Sequence, residues 1–299
     1  MTTNFQELIN EVELNLSGYT ANQERVTHLT QLLTNSGLSL NLASVSNIGK
    51  GIVQIEDELL YVDSYDRISS TATVAPYGRG YQGTSAVQHA INTKVTVAPT
   101  FPRVAIKKAI NDTIQAVYPQ IWGVGRTTFT FVSTQTTYAL PADAQTVLYA
   151  SWQTTGPSDE WMRLKGWRVD PMANTTQFPT GNTISVYDRI TPGRTIQVVY
   201  SKVPTALSAN GDVFETVTGL PSSCKDIIIY GASYRLLSFV DPGRLNYNAS
   251  EADLADTKLQ YGSAAATARY LRTLYTERLA EEAGKLRDFY PINIHYTRY

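Results

Sequence analysis

The sequence contains few of the residues that metal binding and covalent catalysis require. It has one cysteine, Cys224, and three histidines, His28, His89 and His295, in a chain of 299 residues. A single cysteine cannot form an intrachain disulfide, and the histidines lie far apart in three different predicted elements. We find no nucleophile beside a matched base and no cluster with metal-ligand spacing. We therefore predict that the protein is not an enzyme and has no catalytic residue, no metal and no cofactor.

Long apolar runs and an excess of basic charge are missing as well. No segment approaches the roughly 20 consecutive apolar residues of a transmembrane helix, so we expect no membrane partner. The net charge is −1 and the isoelectric point is about 6.3. This balance argues against a broad nucleic-acid-binding surface.

Charge of either sign is scarce, while tyrosine is abundant. Charged residues make up 17% of the chain, against a typical share of about 25%, and there are 19 tyrosines. Protein interfaces are depleted of Lys, Glu and Asp and enriched in aromatic residues. Two explanations stay open: compositional drift, or a surface that is largely covered by neighbours in an assembly.

Hydrophobic periodicity predicts helices near both ends and in the middle of the chain, with β-structure between them. A first helix follows Asn4, and a central helix runs from Pro102 to Pro119. Two further helices are predicted at 227–240 and from 250 to about 287. The segment 26–33 fits either a short helix or a strand. The two apolar stripes contain Phe5, Ile9, Val12 and Leu16 in the first helix and Ile106, Ala109, Ile110, Ile114 and Val117 in the central helix.

The predicted fold class is α+β: a helical core with a small β-module and a larger β-sandwich or barrel as insertions, followed by an extended C-terminal tail. In chain order, the predicted regions are an N-terminal helical segment (1–37), the β-module (38–99), a core helix (100–125), the β-sandwich domain (126–221), the C-terminal helices (222–288) and the tail (289–299).

Three sets of residues could carry chemistry, and each has a simpler interpretation. Carboxylates concentrate at 56–66, yet none has the spacing of an EF-hand loop, and in a hairpin we expect them to be solvated; whether they bind an ion stays open. Cys224 lies in the first turn of a predicted helix, where the pKa of a thiol can fall, but a small buried residue fits as well. Three tryptophans could stack on sugars or pack in a core or interface: Trp152, Trp161 and Trp167.

The segment from 55 to 97 contains a recognisable pattern. The strand sequence IEDELLYV at 55–62 is followed by RGYQGTSA at 79–86, by His89 and by KVTV at 94–97. This pattern resembles a β-module that recurs in structural proteins of tailed bacteriophages, although such modules usually have a glycine near Asn92. Physically, Gly80 and Gly83 allow a positive φ in a tight turn, and Thr84 can bond the local backbone. Arg79 and His89 can attach the loop to adjacent strands, so we predict a structural loop composed of Arg79, Gly80, Gly83, Thr84 and His89.

The order of elements resembles the head-to-tail connector adaptor of long-tailed bacteriophages, although only residues 52–97 match at the level of motifs. The resemblance implies a structural virion protein that forms a ring under the portal, with the portal's twelve-fold symmetry. Such a ring extends the DNA channel, without sequence-specific DNA binding, and joins the capsid to the next neck or tail-terminator protein. The implied location is the virion neck, after assembly in the host cytoplasm. A tail-associated carbohydrate-binding or glycoside-hydrolase protein is the alternative.

The last eleven residues are rich in aromatic and apolar side chains. A free tail of this composition would expose apolar surface to water, and Pro291 favours an extended backbone that can dock its alternate side chains. We predict that this tail contacts the portal; the alternative is that it packs on its own subunit. The predicted contact residues are Phe289, Tyr290, Ile292, Ile294, Tyr296 and Tyr299.

Overall fold

The computed structural model describes residues 3–19, 24–154, 160–238 and 263–290. Five α-helices lie within these ranges: α1 (Phe5–Ser17), α2 (Arg103–Ala116), α3 (Phe214–Thr218), α4 (Lys225–Leu237) and α5 (Ser263–Phe289). None of these described helices has a stretch long and apolar enough to cross a bilayer.

The described strands fall into two groups. The first group is β1 (Arg25–His28), β2 (Ser39–Asn41), β3 (Gly51–Ile55), β4 (Glu58–Asp66), β5 (Thr71–Val74) and β6 (Lys94–Val97). The second is β7 (Gly123–Thr130), β8 (Thr137–Ala139), β9 (Ala144–Gln153), β10 (Trp161–Arg163), β11 (Trp167–Asp170), β12 (Thr183–Val186) and β13 (Thr195–Lys202).

The chain divides into two units, one at 7–110 and 229–272, the other at 1–6, 111–228 and 273–299. The first unit contains β1–β6, and the second contains β7–β13. The α+β class is therefore confirmed. The predicted insertion of both β regions into a helical core and the predicted region boundaries stay predictions.

The two apolar stripes predicted for α1 and α2 are buried. Ile9 and Val12 in α1 and Ile106 and Ile114 in α2 are each 0% exposed. Burying such a stripe is the main source of stability for a helix of this length. The segment 26–33, for which the sequence allowed either a helix or a strand, begins as strand β1. Its β-branched Val26 and Thr27 pair with Thr96 and Val95 of β6.

In the first unit, six antiparallel strands form one sheet in the order β1-β6-β3-β4-β5-β2. The sheet curls until its two edge strands meet. Leu29, next to β1, bridges Leu42, next to β2, and Thr30 N donates to Asn41 O at 2.9 Å. These contacts join the C-terminal ends of the two edge strands, His28 of β1 and Asn41 of β2. The interior of this sheet is filled by Leu29, Leu33, Leu40, Leu42, Val53, Ile55, Leu60, Val62, Ala72, Val74 and Val95.

In the second unit, a four-stranded sheet (β10-β9-β13-β7) and a three-stranded sheet (β11-β12-β8) contribute to one hydrophobic core. Ile184 and Val186 of the smaller sheet belong to the same buried cluster as Ile196 and Val198 of the larger sheet. The central strand β13 pairs with β7 along eight residues and with β9 on its other side. These contacts give the second unit a core of its own.

Candidate functional site

The predicted structural loop gathers around a buried carboxylate, Glu58. Glu58 is the first residue of β4, directly after the β3–β4 turn, and pairs with Ile55. Its side chain is fully buried. A buried carboxylate requires charge compensation and hydrogen bonds, and the loop at 79–89 supplies both.

Arg79 forms a bidentate ion pair with Glu58. Its Nε donates to Glu58 Oε1 at 2.7 Å, and its Nη2 donates to Oε2 at 2.9 Å. The remaining guanidinium hydrogens are donated to three backbone carbonyls, those of Thr34 at 2.6 Å, Gly37 at 2.8 Å and Val87 at 2.7 Å. All five donors of the guanidinium are therefore used, and Arg79 connects β4 to the segment 34–37 and to Val87.

Two backbone amides complete the carboxylate shell. Gly80 N donates to Oε1 at 3.0 Å, and Val87 N donates to Oε2 at 3.1 Å. Burial alone would raise the pKa of Glu58, but the hydrogen bonds from His89, Arg79, Val87 and Gly80 outweigh it and hold the pKa at about 2. Glu58 is therefore ionised at every physiological pH.

His89 lies between two carboxylates and is buried. Its Nε2 is 2.8 Å from Glu58 Oε2, and its Nδ1 is 2.8 Å from Glu56 Oε2. Since ionised carboxylates only accept hydrogen bonds, both ring nitrogens donate when the ring is an imidazolium. Burial lowers the pKa of His89, yet the hydrogen bonds to Glu58 and Glu56 outweigh it, so the pKa is raised. The backbone of His89 also pairs with Leu33, N to O in both directions, at 2.9 and 3.0 Å.

The remaining loop residues shape the turn. Thr84 Oγ1 donates to Tyr81 O at 2.9 Å and accepts from Leu59 N at 3.1 Å. Gly80 has a φ of 59°, and a Cβ there would lie 2.7 Å from Thr84 O. Gly83 also has a positive φ, 81°, with open space around it. Three of the five predicted loop residues, Arg79, Gly80 and His89, therefore bond directly to Glu58, while Thr84 bonds the next residue, Leu59.

This arrangement connects chain segments and leaves no open reaction centre among its members. The side chains of Arg79 and His89 are buried and both pair with the buried Glu58, so a substrate would have no access to these ion pairs. The role that these contacts support is structural: they hold the segments 34–37, 56–59 and 79–89 in a fixed relative arrangement.

The expectation that the carboxylates at 56–66 are all solvated is wrong for Glu58. Glu56 pairs with the same histidine, His89, from the exposed side. The three aspartates have separate partners: Asp57 accepts from Lys107, Asp63 pairs with Lys50, and Asp66 accepts from Ser69. Within the described ranges, no group of three or more His, Cys, Asp or Glu side chains is placed to hold a metal ion. The signal that identifies Glu58 is the strand period, which puts it on the same face of β4 as the buried Leu60 and Val62.

The other candidates are explained by packing. Cys224 is buried, and burial together with the nearby Glu282 carboxylate raises the pKa of its thiol to about 12, which disfavours a reactive thiolate. Trp152 and Trp167 pack partly buried against the core of the second unit, while Trp161 is 40% exposed on β10.

Two of the six predicted portal-contact residues lie in the described part of the chain. Phe289 is the last residue of α5, and its side chain is 82% exposed. Tyr290 N donates to Leu286 O at 3.0 Å, which continues the helical pattern by one residue. Ile292, Ile294, Tyr296 and Tyr299 lie outside the described residues.

Comparison with known proteins decides the family. A family model described as SU10 adaptor protein matches residues 84–285. The chain belongs to this family. The match to the family model covers more than half of the sequence and includes parts of both units. It begins within the structural loop, at Thr84. No curated protein matches the sequence.

Family membership makes the chain a structural adaptor protein of a bacteriophage, located in the virion neck. The resemblance to a phage neck adaptor that the sequence indicated is confirmed. The matched range begins after Glu58, Arg79 and Gly80. The match to the family model therefore does not include the Glu58–Arg79 ion pair at the centre of the loop cluster, by which we mean Glu58 together with the structural loop.

Proposed function

We propose that the adaptor forms a ring under the portal, with the portal's twelve-fold symmetry, and joins the capsid to the next neck or tail-terminator protein. The observation that carries this proposal is membership of the adaptor family. In such a ring, each subunit contacts its neighbours through two different surfaces, and the contacts close on themselves.

The surface of the chain supports an assembled state. Charged residues are only 17% of the sequence, and several large apolar side chains are strongly exposed, among them Leu14, Ile68, Tyr77 and Met172. Exposed apolar and aromatic side chains are typical of surfaces that a partner covers.

The ring would extend the DNA channel below the portal without reading sequence. A net charge of −1 gives little non-specific attraction to the phosphate backbone, which suits a lumen through which DNA must pass freely. We propose assembly in the host cytoplasm, followed by docking on portal-containing heads.

The C-terminal segment from Phe289 is proposed as the portal contact. Its first residue presents an aromatic ring to solvent at the end of α5, and the following residues up to Tyr299 add further aromatic and apolar side chains. An aromatic anchor of this kind gains free energy when a partner pocket buries it.

The carbohydrate-binding alternative is less well supported, because two of the three tryptophans that would stack on sugars pack against a core. The test of the adaptor proposal is to mix the purified full chain with portal-containing heads that lack a neck. Electron microscopy should show a ring with the portal's symmetry on each portal. A chain that binds heads as single copies, or does not bind them, would contradict the proposal.

A further inference from the structure

Glu56 occupies a position in the β3–β4 turn where glycine is normally found. Ile55 pairs with Glu58, so Glu56 and Asp57 form a two-residue hairpin loop. The φ of Glu56 is 52°, in the left-handed region. Tight hairpin loops place glycine, asparagine or aspartate at such a position, because a longer side chain is strained there. A strained residue persists where contacts of its side chain offset the strain.

The contact that offsets this strain is the hydrogen bond to His89. Glu56 Oε2 is 2.8 Å from Nδ1 of His89, whose ring is fully buried. The Glu56 side chain itself is 60% exposed. Glu56 can therefore exchange its bond to the ring for bonds to water without any unfolding of the sheet.

Glu58, which contacts the other nitrogen of the ring, cannot leave in the same way. Its Oε2 is 2.8 Å from His89 Nε2, and its side chain is fully buried. The same oxygen accepts from Arg79 and Val87, and Oε1 accepts from Arg79 and Gly80. Moving Glu58 would leave a buried charge without these bonds, at a high cost. Of the two carboxylates that His89 contacts, one is fixed and the other is free to move into water.

The number of protons on the ring decides how many carboxylates it can hold. An imidazolium donates from both nitrogens, whereas a neutral imidazole donates from one and presents a lone pair at the other. A lone pair repels a carboxylate oxygen at hydrogen-bond distance. Because Glu58 is fixed, we expect the remaining proton on Nε2 and the lone pair on Nδ1, opposite Glu56.

The charged groups around the ring agree with this assignment. Among the described residues, the carboxylates of Glu56 and Glu58 face the ring, and the Arg79 guanidinium shares Glu58 Oε2 with it. The segment 29–38, which pairs with His89 through the backbone of Leu33, contains no charged residue. Burial lowers the pKa of His89, but the hydrogen bonds to both carboxylates outweigh it. The ring therefore titrates above the ordinary histidine value of about 6.5.

We propose that His89 is a pH-dependent switch for the β3–β4 turn. As an imidazolium it holds Glu56 and Glu58 together; when it loses the Nδ1 proton, it keeps Glu58 and releases Glu56 into solvent. The released residue no longer has a contact that offsets its strain, so the turn becomes mobile. Asp57 stays paired with Lys107 of α2 at 2.7 Å, which confines the motion to the side of the turn that faces the loop cluster. This inference does not depend on the ring proposed above.

NMR spectroscopy of the full chain with ¹⁵N-labelled histidine tests the tautomer. The chain has three histidines, and the variant His89→Gln identifies the signals of His89. Two protonated nitrogens are expected at acidic pH, and a neutral ring with its proton on Nε2 is expected above the titration midpoint. A neutral ring with its proton on Nδ1, or an imidazolium that persists until the protein unfolds, would overturn the proposal.

Backbone ¹⁵N relaxation tests the release of the turn. The order parameter of the Glu56 amide should fall as His89 loses its proton. In Glu56→Gln, the side-chain amide can turn and donate to the neutral Nδ1, so the order parameter at position 56 should stay constant. The midpoint of His89 in this variant should fall by roughly 1 pH unit, because one anion beside the ring is lost.

Asp57→Asn is the matched control. It makes the same change of charge in the same turn, but the carboxylate of Asp57 bonds to Lys107 and Arg103. This variant should shift the midpoint of His89 less than Glu56→Gln does and should keep the pH-dependent fall in order at Glu56. Equal midpoint shifts in the two variants, or a wild-type order parameter that stays constant through the titration, would overturn the switch.

Discussion

At the scale of single residues, Glu58 organises the loop cluster. Its two oxygens accept five hydrogen bonds, from Arg79 twice, from Gly80, from Val87 and from His89. The sequence motif identified the loop residues, because glycines and a threonine in a turn have local signatures. It did not identify Glu58 as their common partner, since that pairing joins residues more than twenty positions apart.

Replacing the buried carboxylate should be costly. Glu58→Gln would leave the Arg79 guanidinium buried without its counter-charge and would leave His89 with Glu56 as its only carboxylate partner. We expect the free energy of unfolding to fall by about 3–5 kcal/mol. Urea unfolding measures this change. Asp63→Asn is the control: its ion pair with Lys50 is exposed on both sides, so the loss should stay below about 1 kcal/mol. Equal losses in the two variants would contradict the central role of Glu58.

Two loop glycines allow the cost of a positive φ to be separated from the cost of a steric clash at the Cβ position. Gly83→Ala places a Cβ at positive φ in open space, which should cost about 1–2 kcal/mol. Gly80→Ala carries the same conformational cost and in addition puts a Cβ 2.7 Å from Thr84 O, so we expect a further loss of about 1–3 kcal/mol. Thermal unfolding of both variants measures the difference. Indistinguishable midpoints would show that the close approach at Gly80 relaxes freely.

The His89 imidazolium should make stability depend on pH. Because the pKa of His89 is raised in the folded protein, its contribution is complete below the unfolded value of about 6.5 and is lost as pH rises through the folded value. The free energy of unfolding should therefore decrease above about pH 6.5. In His89→Gln, stability should be lower at acidic pH and this slope should be weaker. An unchanged slope in the variant would assign the titration to another group.

At the scale of elements, periodicity predicted the helices well because their signal is local. The apolar stripe of α1 is buried as expected. The apolar stripe of α2 is buried too; four of its residues lie within Arg103–Ala116, and the fifth, Val117, directly follows the helix. The short β1 was ambiguous because four residues contain too little periodicity to separate helix from strand. Closure of the first sheet could not be predicted, since the bridge between Leu29 and Leu42 follows from the paths of all six strands.

Helix α1 offers a paired test of its buried face. Ile9→Ala removes a side chain that is fully buried and should lower the free energy of unfolding by about 2–5 kcal/mol. Leu14→Ala, on the opposite face and 74% exposed, should change it by less than about 0.5 kcal/mol. Chemical denaturation measures both. A large loss for Leu14→Ala would mean that a partner covers this face in the sample.

At the scale of the whole molecule, composition and layout indicated function more directly than any active-site pattern did. The scarcity of charge left two explanations open, and membership of the adaptor family favours the one in which other phage components cover part of the surface. The positive φ of Tyr77 could not be predicted from the sequence. Tyr77 precedes Gly78, and the sequence alone does not show that the tyrosine, and not the glycine, adopts this conformation.

The C-terminal segment allows docking to be separated from folding. Deleting residues 289–299 removes the exposed Phe289 ring and the aromatic residues after it, while α5 keeps its buried Leu271, Tyr275 and Leu279. We therefore expect an unchanged thermal midpoint, together with loss of binding to portal-containing heads, measured by co-sedimentation. A shorter deletion of 291–299 keeps Phe289 and Tyr290 and should show how much of the binding these two residues provide. A lowered midpoint would indicate that the tail packs on its own subunit, and neck completion at the wild-type level would rule out a portal contact in this segment.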